Sequence, residues 1–193
     1  MTWHIRHDRR SWLKTVGSCL LAPATGSAAR PTNKPPLDTK TVVGWRDHYA
    51  EELFARALPF WDRHGIDHQR GGFQCALDYD GRKVDSNKFH WYQGRGIWVY
   101  SYLYNHFKDR LPDGQHPRTL SIARNAANFW LEHGPNKQGW WPELLGHDGR
   151  VIQAFRGDVY SAFTTIEGCQ ELAFATNDDA LRDQSFRWLK KAY

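Results

Sequence analysis

A five-residue pattern occurs twice in this chain, 68 residues apart. Gly71, Leu77, Asp80, Gly81 and Arg82 recur as Gly139, Leu145, Asp148, Gly149 and Arg150. In each copy short extended runs flank an Asp-Gly dipeptide, the residue pair that suits a tight hairpin turn. Hairpins are therefore predicted over 71–85 and 139–152. Each is preceded by an amphipathic helical pattern and followed by a more apolar one. The unit is outer helix, hairpin, inner helix, repeated. Stacking such units in a ring gives an all-α chain, an α/α toroid with its inner helices enclosed and its hairpins crowning one rim.

The first inner helix, within Lys88 to Phe107, is the most demanding segment. At 3.6 residues per turn, Trp91, Arg95, Trp98 and Tyr102 share one face. Tyr92, Gly96, Tyr100, Leu103 and Phe107 share another. A helix this apolar all round is expected to be enclosed. Arg95 stands in the middle of one aromatic face, and no acidic residue lies within a turn of it there. A buried guanidinium is costly unless it is paired or hydrogen-bonded. Arg95 therefore needs either a carboxylate from another element, with Glu167 the nearest candidate by pattern, or the oxygens of a polar ring-shaped ligand.

The remaining elements follow the same rhythm. Thr39 to Arg63 reads as an outer helix, with Trp45, Tyr49, Leu53, Ala57 and Trp61 on one face and a kink expected at Pro59. Asn105 to His116 reads as a polar connection. Thr119 to His133 is the second outer helix. Val159 to Ala175 is the second inner helix, with Asp158 as its N-cap. Asp179 to Tyr193 starts a third outer helix. Five helices are less than half of a closed ring of six hairpins, so inner-helix faces are expected to meet water.

The N-terminus carries a different signal. Residues 1–29 hold Arg6, Arg9, Arg10 and Lys14 against Asp8, followed by a mildly apolar run and the small residues Ser27, Ala28 and Ala29. This resembles an export signal of the twin-arginine kind, cleaved near Ala29. It implies a periplasmic or exported protein, or a cytoplasmic one if the start codon is misassigned. Residues 30–38, rich in proline, read as a linker, and 39–193 as the domain. The leader's +3 accounts for most of the formal +5, and no basic block follows, so nucleic-acid binding is not expected. No apolar run is long enough to span a membrane. Of the three cysteines, Cys19 lies in the leader, and Cys75 and Cys169 match no disulfide or zinc spacing.

Several residues suggest rival chemistry. His64 and His68 are four apart, but Gly65 between them predicts a loop rather than a metal face. His90 neighbours the inner-helix site as a pocket or packing residue. His147 occupies a turn position equivalent to Tyr79, so exposure is expected. Glu143, Asp158 and Glu167 could supply a carboxylate pair for a glycoside hydrolase or lyase. A non-catalytic sugar-binding fragment is a third class.

The strings Leu58-Pro59-Phe60-Trp61, His64-Gly65-Ile66-Asp67, Gly71-Gly72-Phe73, Leu77-Asp78-x-Asp80-Gly81, Lys88-Phe89-x-Trp91-x-Gln93-Gly94-Arg95 and Trp98-x-Tyr100-Ser101-x-Leu103-Tyr104-Asn105 occur in order. With Tyr160-x-x-Phe163 and Glu167-Gly168-Cys169-Gln170-Glu171-Leu172-Ala173, they resemble the N-acylglucosamine 2-epimerase family over roughly residues 40–190. The resemblance implies an (α/α)6 barrel whose central pocket opens sugar rings and epimerises or isomerises them. It implies a catalytic Arg95 holding substrate oxygens near the carbonyl. It further implies substrate contacts from Tyr160, Trp91, Gln93 and Glu167. The expected ligand is a monosaccharide or N-acyl amino sugar, with no cofactor and no metal, and a homodimer is compatible with it. In this family two histidines on later inner helices move the proton. Those lie beyond Tyr193, so turnover by this chain alone is not expected. The chemistry explains the choice: removing a weakly acidic C–H proton and returning it to the opposite face suits two groups of pKa near 7.

Overall fold

The computed structural model describes residues 39–193, so the export-signal and linker readings, with Cys19, lie outside the described residues. The first outer helix is built in pieces: α1 (Thr39–Glu51), a π-helical turn (Glu52–Ala57) and α2 (Leu58–His64). Pro59 supplies the reason. It has no N–H to donate, and its ring crowds the carbonyl four residues back, at Ala55, so the helix widens there instead of continuing regularly.

Both hairpins form where the Asp-Gly pairs predict. In the first, β1 (Ala76–Leu77) pairs with β2 (Lys83–Asp85); in the second, β4 (Leu144–Leu145) pairs with β5 (Val151–Gln153). Gly81 and Gly149 take φ of 83° and 85°, left-handed values that a side chain would strain. One further strand, β3 (Lys88–Phe89), leaves the first unit and pairs antiparallel with β4, Lys88 opposite Leu145 and Phe89 opposite Leu144. The two units are thereby joined in one three-stranded sheet ordered β3-β4-β5.

The other helices are α3 (His90–His106), α4 (Gln115–His133), α5 (Val159–Thr176) and α6 (Asp179–Ala192). α4 starts four residues earlier than the pattern predicts. Gly114 turns the chain at φ 76°, and Pro117 sits in the first turn, where a missing N–H has no consequence. Asp158 caps α5 by accepting from the Tyr160 and Ser161 N–H groups, as predicted, and Asp178 caps α6 by accepting from Leu181.

The hairpins are seated by a second repeat, in the outer helices. Phe60-Trp61 and His64-Gly65 recur as Phe129-Trp130 and His133-Gly134, 69 residues on. In each copy the phenylalanine ring meets the histidine ring, at 5.0 Å and 4.8 Å between centroids. The imidazole then fills the space where Gly81 or Gly149 would carry a Cβ. Each turn glycine thus rests on the end of the outer helix before it.

The core lies between α3, α4 and α5. Ile97 and Leu103 of α3 pack with Ile122, Phe129 and Trp130 of α4 and with Ala162 and Leu172 of α5. α3 and α5 approach so closely that a Cβ on Gly94 would stand 2.5 Å from the Thr165 nitrogen, and one on Gly168 would stand 2.6 Å from the Gly94 oxygen. Below the first hairpin, fully buried Lys88 places Nζ 2.8 Å from Asp67 Oδ2, donates also to the Gly71 carbonyl, and lies over the Phe129 ring. By contrast, the apolar face predicted for the first outer helix is open to water. Trp45, Tyr49, Leu53 and Trp61 are all exposed, and Trp45 and Tyr49 stack on each other instead.

Candidate functional site

The aromatic face of α3 forms as its spacing predicts. Tyr102 stacks on Trp98 at 5.0 Å, and the Arg95 guanidinium carbon lies 5.6 Å from the Trp98 ring, within cation–π range. From α5, Glu167 brings Oε2 to 3.5 Å from Arg95 Nη1. The pair forms because Gly94 and Gly168 are the neighbours in sequence of Arg95 and Glu167. Where the two backbones touch, the adjacent side chains emerge side by side.

This face is not enclosed. The Arg95 and Glu167 side chains are 41% and 49% exposed. The expectation of a buried guanidinium is corrected: the face is only partly covered, with Glu167 and Glu171 of α5 along its edge. An exposed pair of this kind contributes about 0–1 kcal/mol, so the arrangement does little for stability. Arg95 also borders a cavity of about 230 Å³ whose walls include Trp61, Trp91, Tyr92, Gly96 and Val99. Arg95 is the one charged residue of that lining.

The other predicted site residues divide. Trp91, four residues before Arg95, lines the same cavity and is 46% exposed. Tyr160 is 59% exposed and shares the open α5 face with Glu167, two turns away. Gln93 does not join them. It is fully buried, and its amide clamps the first hairpin: Oε1 accepts from the Phe73 N–H at 2.8 Å, and Nε2 donates to the Phe73 carbonyl at 3.0 Å. Two residues along a helix turn a side chain through about 200°, so Gln93 points away from the Arg95 face into the fold.

The rival constellations are used structurally. Glu143 accepts from Gln153 Nε2 and from the Arg156 N–H, and Asp158 is spent on its cap, so neither carboxylate is free to pair with Glu167. His90 is a packing residue. It lies between the Trp130 and Trp141 rings at 5.1 Å and 5.6 Å, with Nε2 3.0 Å from Thr165 Oγ1. Burial pushes its pKa down to about 3. His68 meets the Asp62 carbonyl while His64 lies under Gly81, so the two do not converge. His147 and Tyr79 are exposed, as their turn positions predict. Burial raises the Cys75 thiol to about 11 and the Cys169 thiol to about 12, and neither forms a disulfide.

One polar cluster on this face was not foreseen. His106 continues the Arg95 face one turn past Tyr102; its ring lies 4.2 Å from that of Tyr102 and its Nε2 3.3 Å from Glu171 Oε1. Asn105 donates to the same oxygen at 2.6 Å. The signal was available, since residue 106 follows 91, 95, 98 and 102 on one stripe.

The chain is similar to N-acylglucosamine 2-epimerase from Homo sapiens, 28% identical over 164 residues, and from Bos taurus, 30% identical over 156 residues. These matches take in 80% and 79% of this chain but only 37% and 35% of the relatives. The chain therefore spans little more than a third of the length of the curated relatives it matches. No protein-family model matches it. Among solved structures, cellobiose 2-epimerase from Bacillus thermoamylovorans superposes with a TM-score of 0.65 at 20% identity, over 77% of this chain and 36% of that one. A sugar epimerase from a ruminal bacterium gives 0.59 at 18%, over 70% and 35%. The helix–hairpin–helix units are thus part of an α/α toroid. With the ordered motifs from Leu58 to Ala173, these likenesses lead to one conclusion: the chain belongs to the N-acylglucosamine 2-epimerase family.

Proposed function

We propose that this chain supplies the arginine-bearing wall of a sugar 2-epimerase or aldose–ketose isomerase, which moves a proton next to the carbonyl of a ring-opened sugar. The observation that carries the reading is Arg95 itself. It is a guanidinium set among Trp91 and Trp98, open to solvent, held by one exposed carboxylate, and of little use to stability. Stacking rings beside a forked donor suit a hydroxyl-rich ring or its opened chain. In the reaction Arg95 would stabilise the enediolate-like oxygen that develops when the proton leaves. The substrates named for the relatives, N-acylglucosamine and cellobiose, mark the class: a neutral monosaccharide, N-acyl amino sugar or short saccharide. Proton transfer needs a partner opposite the reacting carbon. His106, the histidine on the Arg95 stripe, lies eleven residues along, about 16 Å up the helix axis, too far to share one carbon with Arg95. This reading assigns the proton-moving groups to other inner helices of the toroid.

Two measurements test this reading. The 193-residue chain should bind N-acetylglucosamine, N-acetylmannosamine or cellobiose, yet show no deuterium at C2 above a protein-free control in heavy water. Incorporation above the control would mean that the chain carries its own proton-transfer pair. Failure to bind any of the three would remove the sugar-site reading.

Arg95→Met provides the second test. Its ion pair is half exposed, so urea unfolding should change by about 1 kcal/mol or less. In a family enzyme carrying this segment, the same change should lower kcat/KM on the order of 100-fold. A variant that unfolds several kcal/mol more easily but turns over normally would make Arg95 a structural residue.

A further inference from the structure

Glu167 gives Arg95 a carboxylate partner on its open face. Its Oε2 lies 3.5 Å from Arg95 Nη1; Trp91, Trp98, Tyr160 and Phe163 on the same two faces carry no charge, and the next acid, Glu171, one turn on along α5, is engaged by His106 and Asn105. The guanidinium therefore carries a counter-charge at close range, beside the Trp98 ring. An incoming ligand meets a dipolar pair rather than a cation. A hydroxyl can accept from the guanidinium and donate to the carboxylate at once. A carboxylate or phosphate can accept from Arg95 only by approaching Glu167, with like charges at near contact.

From this geometry we infer that Glu167 is a specificity-determining residue: it admits neutral sugars to Arg95 and turns away sugar acids and sugar phosphates. For its ligand class the inference rests on the sugar-site reading above. The repulsion itself does not. Without Glu167, the same arginine, flanked by Trp98 and open to solvent, becomes an anion site, since an unpaired guanidinium fork matches a carboxylate with two parallel hydrogen bonds.

The test compares two ligands that differ by one charged group, D-glucose and D-glucuronate, titrated into the 193-residue chain by NMR at low ionic strength. In the unaltered chain, glucuronate should bind no more tightly than glucose. In Glu167→Gln, binding of glucuronate relative to glucose should gain at least tenfold, about 1.4 kcal/mol. The gain should fall on adding salt and vanish in the Glu167→Gln, Arg95→Met double variant. A glucuronate gain below tenfold, or a gain that survives loss of Arg95, overturns the inference. Equally tight glucuronate binding in the unaltered chain and in Glu167→Gln also overturns it. Absence of glucose binding throughout would count against the sugar site, and the glucuronate arm would still decide the role of Glu167. Both residues are half exposed, so the variants keep the fold on which the comparison depends.

Discussion

Lys88→Met should destabilise the chain by about 3–5 kcal/mol, the cost of leaving one member of a buried pair unpartnered. Lys88 is fully buried, with Nζ 2.8 Å from Asp67 Oδ2. Asp67 also accepts from the Gln69 and Arg70 N–H groups at 3.1 Å each. Burial is the largest influence on both groups. It lowers the Lys88 pKa, which Asp67 partly offsets, and it would raise that of Asp67. For Asp67 the ammonium and the two N–H groups outweigh burial, and its pKa ends below the ordinary value. Removing the lysine takes away the ammonium that offsets burial and leaves Asp67 an unpaired carboxylate in a site that water cannot reach freely. The measurement is the urea midpoint of Lys88→Met beside that of a Lys88→Met, Asp67→Leu double variant. The double should recover much of the loss, because an apolar pair of similar volume often equals a buried ion pair. A single variant within 1 kcal/mol of the unaltered chain would show that Asp67 is solvated after all.

Acid should weaken the fold well before its carboxylates titrate. His90 is almost wholly buried between two indoles, and burial, opposed only by the field of Asp158, pushes its pKa down to about 3 from an ordinary 6.5. The sign follows from linkage: the unfolded chain binds the proton first, so protonation favours unfolding. The stability held by neutral His90 is complete above pH 6.5 and is lost progressively as pH falls toward 3. At 1.36 kcal/mol per unit, the loss is about 2 kcal/mol by pH 5 and roughly 4–5 kcal/mol at the lower limit. The depressed Asp67 adds its own loss only below its ordinary 3.8, outside the interval from pH 7 to 5. Urea unfolding at pH 7 and pH 5 isolates the histidine. His90→Gln can still reach Thr165 but does not titrate, and should lose about 2 kcal/mol less than the unaltered chain over that interval. Parallel losses in the two proteins would assign the acid sensitivity elsewhere.

Much of the architecture was legible because it rests on local chemistry. The turns at Asp80-Gly81 and Asp148-Gly149, the cap at Asp158 and the inner-helix stripe of Trp91, Arg95, Trp98 and Tyr102 each depend on residues close in sequence. What escaped reading depends on distant partners or on a changed offset. The pairing of Lys88-Phe89 with Leu144-Leu145 joins strands too short to show periodicity. The Phe-Trp-x-x-His-Gly repeat sits at 69 residues rather than 68, so a comparison locked to the hairpin offset passes over it. The motif sets Gln93 two residues from Arg95, and helical geometry sends the two side chains to opposite sides. The Arg95 face and the Trp45–Trp61 face are both open to water, and the same reasoning applies to each. Apolar periodicity reports that a surface seeks cover, and cannot report whether the described residues provide it.

The contact between Gly94 and Gly168 has a meaning beyond packing. Each glycine adjoins one member of the charged pair, Arg95 or Glu167, and the two backbones meet with no side chain between them. The spacing of the two backbone positions that carry the charges is therefore gauged by main-chain atoms, and the half-exposed side chains settle their 3.5 Å contact within it. Two positions without chemistry of their own act as a ruler for two that carry it. A side chain at either glycine would force the two backbones apart and disturb the core and the charged pair together.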